Sequence, residues 1–291
     1  MKKFTKHILA LLVTLTLLIY ISDTIYTYIY MSKNPRNKLQ YILNLKKQNY
    51  EYLFLGSSRV ANHIDTKVID SLTNKRSINL GVEGASLNDN LLQLKLFIKN
   101  NTVSTLFLQL DFNYQSTAPS NIVTSEAMPF IDNKIVYTHV KSYFDNYLLL
   151  KHVPFYKYAI NAPKIGFREF FLKLINKKPR IKIDDHGFIP LSGNKEISGQ
   201  LPKNIAHSNT IVDSIVKICN KNKVRLVFYT APFSSKTKNI DYITKLKYKY
   251  PELNNFSTGY KDSLFYNWGH LNHKGAKLFT SDFYNQCILK K

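Results

Sequence analysis

The chain has 291 residues, 44% of them hydrophobic, enough for one sizeable core with an added segment. Its 41 basic and 19 acidic residues give a formal charge of +22. Taken alone, that charge points to nucleic acid or an anionic surface. The basic residues are mostly Lys spread along the whole chain, and no recognition module or aromatic-basic platform accompanies them, so no nucleic-acid partner is expected. Two cysteines, Cys219 and Cys287, are too few for a disulfide framework and lack zinc-ligand spacing, and they read as two buried thiols in preference to a pair formed outside the cytoplasm.

Lys2, Lys3, Lys6 and His7 precede an apolar run from Ile8 to Ile21. As a helix that run rises only about 21 Å, short of a hydrocarbon core of roughly 30 Å. Continuing through Asp23 to Ile25, Tyr26, Tyr28 and Tyr30 supplies the length, with Asp23 toward the outer leaflet and the tyrosines at headgroup level. No small-x-small cleavage site follows, so residues 1–31 read as an uncleaved transmembrane signal-anchor rather than a removed signal peptide. The basic residues ahead of the span place the N-terminus inside the cytoplasmic membrane and the body outside it. Residues 32–48 read as a juxtamembrane linker and a first amphipathic helix.

Residues 49–291 form the body. Short apolar runs alternate with helical periodicities, as in a parallel sheet covered on both faces. Strands are predicted at Tyr50 to Leu55, Ser77 to Leu80, Val103 to Leu110 and Val224 to Thr230. Leu87, Leu91, Leu94 and Ile98 mark one face of a helix that Ser86 and Asp89 can cap. Further helices are predicted at Ile64 to Leu72, Asn209 to Asn220, Asp241 to Tyr248 and Ala276 to Ile288. Residues from about 115 to 201, rich in aromatic and basic side chains, break this rhythm and read as an insertion. It serves either substrate selection or a surface subdomain that stabilises the body or meets a partner.

The first strand runs into Gly56-Ser57-Ser58-Arg59, and the last thirty residues hold Asn267-Trp268-Gly269-His270-Leu271-Asn272. A serine turn at the end of a buried strand lifts a hydroxyl where a base from a distant segment can reach it. Acyl transfer needs that hydroxyl, a base that titrates near neutrality, and donors aimed at the developing oxyanion. Ser58, His270, Gly84 and Asn113 can fill those roles. Each also has a structural reading: a capping serine, a surface histidine, a turn glycine, and an asparagine satisfying a strand end. Arg59 either holds the turn or binds an anionic group of the substrate. The turn Asp184-Asp185-His186 has no partner ligand at metal spacing, and neither Gly-x-Gly-x-x-Gly nor a P-loop occurs, so no metal or cofactor is expected.

In four blocks, Gly56-Ser57-Ser58, Asn79 to Ser86, Asp111-Phe112-Asn113-Tyr114 and Asn267 to Ala276, the chain resembles the SGNH (GDSL-type) hydrolases, in their membrane-anchored branch. The resemblance covers roughly Tyr50 to Tyr114 and Val224 to Leu289. It implies a three-layer α/β/α flavodoxin-like fold behind one N-terminal transmembrane helix. It assigns Ser58 as nucleophile, His270 as base, and Ser58, Gly84 and Asn113 as the oxyanion hole. It further implies a bacterial, extracytoplasmic esterase or O-acyltransferase that forms an acyl-serine and acts on cell-envelope carbohydrate. The departure is Asn267, where the family places an aspartate. It leaves three expectations: a dyad oriented by Asn267 or a backbone carbonyl, an acid such as Asp262 folding in, or a catalytically silent fold that binds glycans or envelope-assembly partners.

Overall fold

The computed structural model describes residues 2–32, 34–179, 187–195 and 198–290. The Asp184-Asp185-His186 turn lies outside them. The chain divides into two compact units, residues 1–40 with 121–178, and residues 41–120 with 179–291.

In chain order the strands are β1 (Asn49–Leu55), β2 (Ser77–Asn79), β3 (Thr102–Gln109), β4 (Gly199–Gln200), β5 (Arg225–Thr230), β6 (Thr237–Lys238), β7 (Asn254–Asn255), β8 (Phe265–Asn267) and β9 (His270–Leu271), all in the larger unit. Five form one sheet in the order β2-β1-β3-β5-β7, every neighbouring pair parallel. β4 pairs with β6, and β8 with β9 makes a small antiparallel hairpin. The four predicted strands lie within a residue or so of their expected limits; β7, two polar residues long, carries no periodicity that would have revealed it.

Strand parity builds the two faces. Tyr52 and Phe54 on β1, Phe107 on β3, and Val227 and Tyr229 on β5 join one apolar cluster with Ile69, Ala276, Phe279 and Phe283 from the helices Thr66–Thr73 and His273–Phe283. The alternate residues Leu53, Leu55, Leu106 and Leu108 are fully buried on the other face, where the helices Leu87–Ile98 and Thr210–Lys221 pack on each other. The result is a mixed α/β body in which the parallel sheet is covered on both sides. Strand order reverses beside β1, whose neighbours are β2 and β3, and in open parallel sheets the crevice at such a reversal is where ligands bind.

Ser86 and Asp89 form the expected capping box of helix Leu87–Ile98. Its polar face, however, is buried as well as its leucines: Asn88, Asp89, Asn90 and Gln93 have no solvent exposure. Their side chains tie down loops at the end of the sheet. Asn90 Nδ2 donates to the Gly56 carbonyl (3.2 Å), Gln93 Nε2 to Leu80 (2.9 Å), and Asn88 Nδ2 to Thr117 (2.6 Å). Cys219 and Cys287 are buried and unpaired, and burial pushes both thiols up to about 12.

The smaller unit contains the helix Lys2–Tyr30, long and apolar enough to cross a membrane, together with short helices between Asn121 and Leu174. In its last two turns Asp23, Tyr26 and Tyr30 pack against protein, contacts that the sequence does not show. Asp23 pairs with Lys157 Nζ (2.8 Å) and accepts the Phe155 N–H (2.9 Å), Tyr26 stacks on Phe170 with ring centroids 3.9 Å apart, and Tyr30 is 1% exposed.

Candidate active site

β1 runs into Gly56, where a Cβ would meet Val60 Cγ2 at 2.4 Å and Gln109 Oε1 at 2.5 Å, so the turn closes only around glycine. Ser57 caps the following turn by accepting the Arg59 N–H, which places Ser58 first in the helix Ser58–Ala61. Gln109, at the end of β3, accepts from both Ser57 N–H (2.8 Å) and Ser57 Oγ (2.9 Å) through Oε1 and donates through Nε2 to Asp111 Oδ2 (2.6 Å). The serine turn is therefore fastened to the neighbouring strand.

His270 arrives on the hairpin β8-β9, whose tight turn is Trp268-Gly269. Its Nε2 lies 2.7 Å from Ser58 Oγ, across 212 positions of sequence. Its Nδ1 lies 2.9 Å from Asn267 Oδ1. The same Oδ1 accepts the backbone N–H groups of Gly269 and His270, both at 3.0 Å. Two backbone donors require an acceptor, so the oxygen of the Asn267 amide faces them, and the ring must donate to it from Nδ1. Nε2 then carries a lone pair toward Ser58. This answers the main objection to an asparagine here, that an amide turned to offer its NH₂ group stabilises the wrong tautomer.

What Asn267 does not bring is charge. Burial, and then the Arg59 guanidinium, push the His270 imidazole down to about 4. His270 is thus neutral at physiological pH, ready to accept a proton but with little to stabilise the imidazolium. Asp262 does not supply that charge. It accepts from Ser235 N–H and Ser235 Oγ, bonds that hold its carboxyl below its ordinary value.

The oxyanion-hole candidates are placed as follows. Ser58 N–H and Gly84 N–H have no partner among the described residues, as first-turn and turn amides often do not. Gly84 has φ +70° in a turn closed by Ala85 N–H on Val82 O, and Val82 N–H is itself bonded to Gly56 O (3.2 Å). Asn113 Oδ1 accepts from Asp111 N–H (2.9 Å) and its Nδ2 donates to Gln109 O (3.0 Å). One Nδ2 hydrogen is left over, so the side chain satisfies the strand end and keeps one donor.

Of its two expected roles, Arg59 shows the contacts of the one that holds the turn. It is 1% exposed, with Nε on Asp111 Oδ2 (2.8 Å), Nη2 on the carbonyls of Ala231 (2.6 Å) and Pro232 (3.1 Å), and Nη1 on the Gly269 carbonyl. Its guanidinium also lies 3.6 Å over the Phe233 ring. Arg59 is the peg that joins the serine turn to the histidine hairpin, with Asp111, itself fully buried, as its counter-ion.

Sequence reasoning missed three positioning residues: Gln109, Asp111 as an ion-pair partner, and His63. His63 Nε2 accepts the Leu271 N–H (3.0 Å), steadying β9, and its ring meets that of His270 edge-on at 6.0 Å. Complete burial holds His63 well below its ordinary value, so it too is neutral. Comparison with protein-family models and with curated proteins finds no match for the chain.

Proposed function

We propose that this chain is a membrane-anchored, extracytoplasmic serine esterase or O-acyltransferase of the SGNH type, acting on acyl esters of cell-envelope carbohydrate. The observation that carries it is the relay Ser58 Oγ to His270 Nε2 to Asn267 Oδ1, with the Asn267 amide pinned by two backbone donors. The strand order, which among the five sheet strands is 2-1-3-4-5, agrees with the flavodoxin-like arrangement that the resemblance implies. The helix Lys2–Tyr30, whose first turns carry Lys2, Lys3 and Lys6 ahead of the apolar run, supports an anchor with its N-terminus inside.

In this reading Ser58 Oγ attacks the ester carbonyl carbon while its proton passes to His270 Nε2. The oxyanion is met by the N–H groups of Ser58 and Gly84 and by Asn113 Nδ2. The tetrahedral intermediate collapses to acyl-Ser58, and His270 returns the proton to the departing alkoxide. A water or a sugar hydroxyl then attacks acyl-Ser58, giving its proton to His270, and Ser58 recovers it as the acyl group leaves. Hydrolase and transferase differ only in which hydroxyl reaches the acyl-enzyme.

A second reading, a catalytically silent glycan- or partner-binding fold, is favoured by the missing charge at Asn267 and the low proton affinity of His270. Incubation with an activated acetyl ester, followed by peptide mass analysis, separates the two. The enzyme reading predicts acetyl-Ser58, absent in Ser58→Ala and His270→Ala, with added oligosaccharide acceptor accelerating its loss if the protein is a transferase. Folded protein that acquires no acyl group on Ser58 sinks it.

A further inference from the structure

The smaller unit carries apolar side chains on its outside. On the helix Phe167–Leu174, Phe170 turns inward onto Tyr26, and Lys173 is buried with its ammonium on the Asn34 carbonyl (2.6 Å) and Gln40 Oε1 (3.2 Å). Phe167, Phe171 and Leu174, spaced i, i+4 and i+7, fall on the other face and are 71%, 46% and 49% exposed. The Phe167 and Phe171 rings stack at 6.2 Å. Leu148, Leu149, Val153 and Ile160 are also exposed in the preceding helices and turns. A folded unit rarely leaves so many large apolar groups to water without a partner for them.

Position along the N-terminal helix says what that partner is. If the anchor crosses the bilayer, a hydrocarbon core of roughly 30 Å entered at Lys6 is used up about twenty residues later, near Tyr26. Asp23, which lies about 4 Å short of that boundary, holds Phe155 and Lys157. Thr27, at the boundary, bonds the Tyr158 hydroxyl (2.7 Å), and Tyr30, about 6 Å beyond it, reaches the Gly166 carbonyl. Residues 148–160 therefore straddle the hydrocarbon edge, and Phe167 stands at headgroup level. The Asp23–Lys157 pair removes the net charge that would otherwise oppose this depth. The segment 121–178 has nine basic residues against four acidic, with Lys164, Arg168, Lys177 and Lys178 exposed, a balance that suits anionic headgroups.

We propose that residues 147–175 form a monotopic lipid-binding surface, seated in the same bilayer that the N-terminal helix crosses and continuous with it. This rests on the anchoring part of the proposed function and is independent of catalysis. The test uses the full chain in phosphatidylcholine–phosphatidylglycerol vesicles, with and without brominated acyl chains. Single tryptophans are placed by Leu149→Trp and Phe167→Trp, by Leu15→Trp in the span, and by Tyr248→Trp at a site 83% exposed in the other unit, with Trp268 as a common background. Brominated lipid is expected to quench Leu15→Trp, Leu149→Trp and Phe167→Trp about twofold while leaving Tyr248→Trp near background. Quenching of Leu15→Trp alone overturns the lipid-binding surface and leaves the anchor standing. Failure to quench Leu15→Trp overturns the anchor and this surface with it. Blue-shifted but unquenched emission at Leu149→Trp and Phe167→Trp shows that protein, such as a second copy, covers the face, and also overturns the inference.

Discussion

Asn267→Asp tests how the pinned amide governs the base. The substitution leaves Oδ1 as acceptor for Gly269 and His270 N–H and adds one negative charge beside an imidazole whose Nδ1 is 2.9 Å away. With charge centres about 4 Å apart and an effective dielectric near 20, the attraction for imidazolium is about 4 kcal/mol, or roughly three units of proton affinity. Part of that offsets the cost of placing a carboxylate at a half-buried site, a cost that the two backbone donors reduce. The His270 imidazole should therefore rise from about 4 by roughly two units. The assay is the second-order rate of Ser58 modification by a fluorophosphonate as a function of pH. Only the neutral imidazole acts as base, so the wild-type rate should fall through about pH 4. The variant should lose its rate at a pH roughly two units higher and exceed wild type at pH 8 by at least about tenfold, since about 1.4 kcal/mol of imidazolium stabilisation is enough for that. An unchanged acid limb with an unchanged rate would refute the proposed coupling between Asn267 and His270.

Three further outcomes follow from the same geometry. His63 and His270 stay neutral in the fold while their unfolded counterparts bind protons below about 6.5. Acidification from pH 6.5 to 5 should therefore remove up to about 2 kcal/mol of stability per histidine, and denaturant titration in mild detergent that shows a flat profile over this range contradicts the assignment. Arg59→Met strands the Asp111 carboxylate in a site without solvent exposure and should cost about 3–5 kcal/mol in the same titration, part of it recovered by adding Asp111→Leu; a near-neutral single variant contradicts the peg role. Gly56→Ala should lower both melting temperature and Ser58 reactivity, because the new Cβ collides with Val60 and Gln109, and wild-type values for both show that the turn has room.

The readable parts of this molecule are those written in contiguous residues. The strand entering Gly56-Ser57-Ser58, the Ser86 capping box, and the Asn267 to Asn272 hairpin each carry a local pattern, and the body has the expected parallel sheet with helices on both faces. The residues that lock the site were not readable. Gln109 reaches Ser57 across 52 positions, His63 reaches Leu271 across 208, and Arg59 joins Asp111 to carbonyls at 231, 232 and 269. No periodicity encodes such long-range hydrogen bonds, and a buried arginine has the same letter as one that binds substrate. The helix Leu87–Ile98 shows the same limit: its leucines mark one face, but its asparagines and glutamine are buried too, against loops that an isolated sequence does not place. The contacts of Asp23 and Tyr26 were equally unreadable, because their partners, Lys157 and Phe170, lie more than 130 positions away.

The central claim is that Ser58 is a nucleophile activated by His270. Peptide mapping of the folded full-length chain after fluorophosphonate treatment at neutral pH measures this directly. The account predicts one dominant adduct, on Ser58, strongly reduced in His270→Ala and absent in Ser58→Ala. A folded wild-type chain in which Ser58 stays unmodified, or reacts equally well without His270, contradicts it.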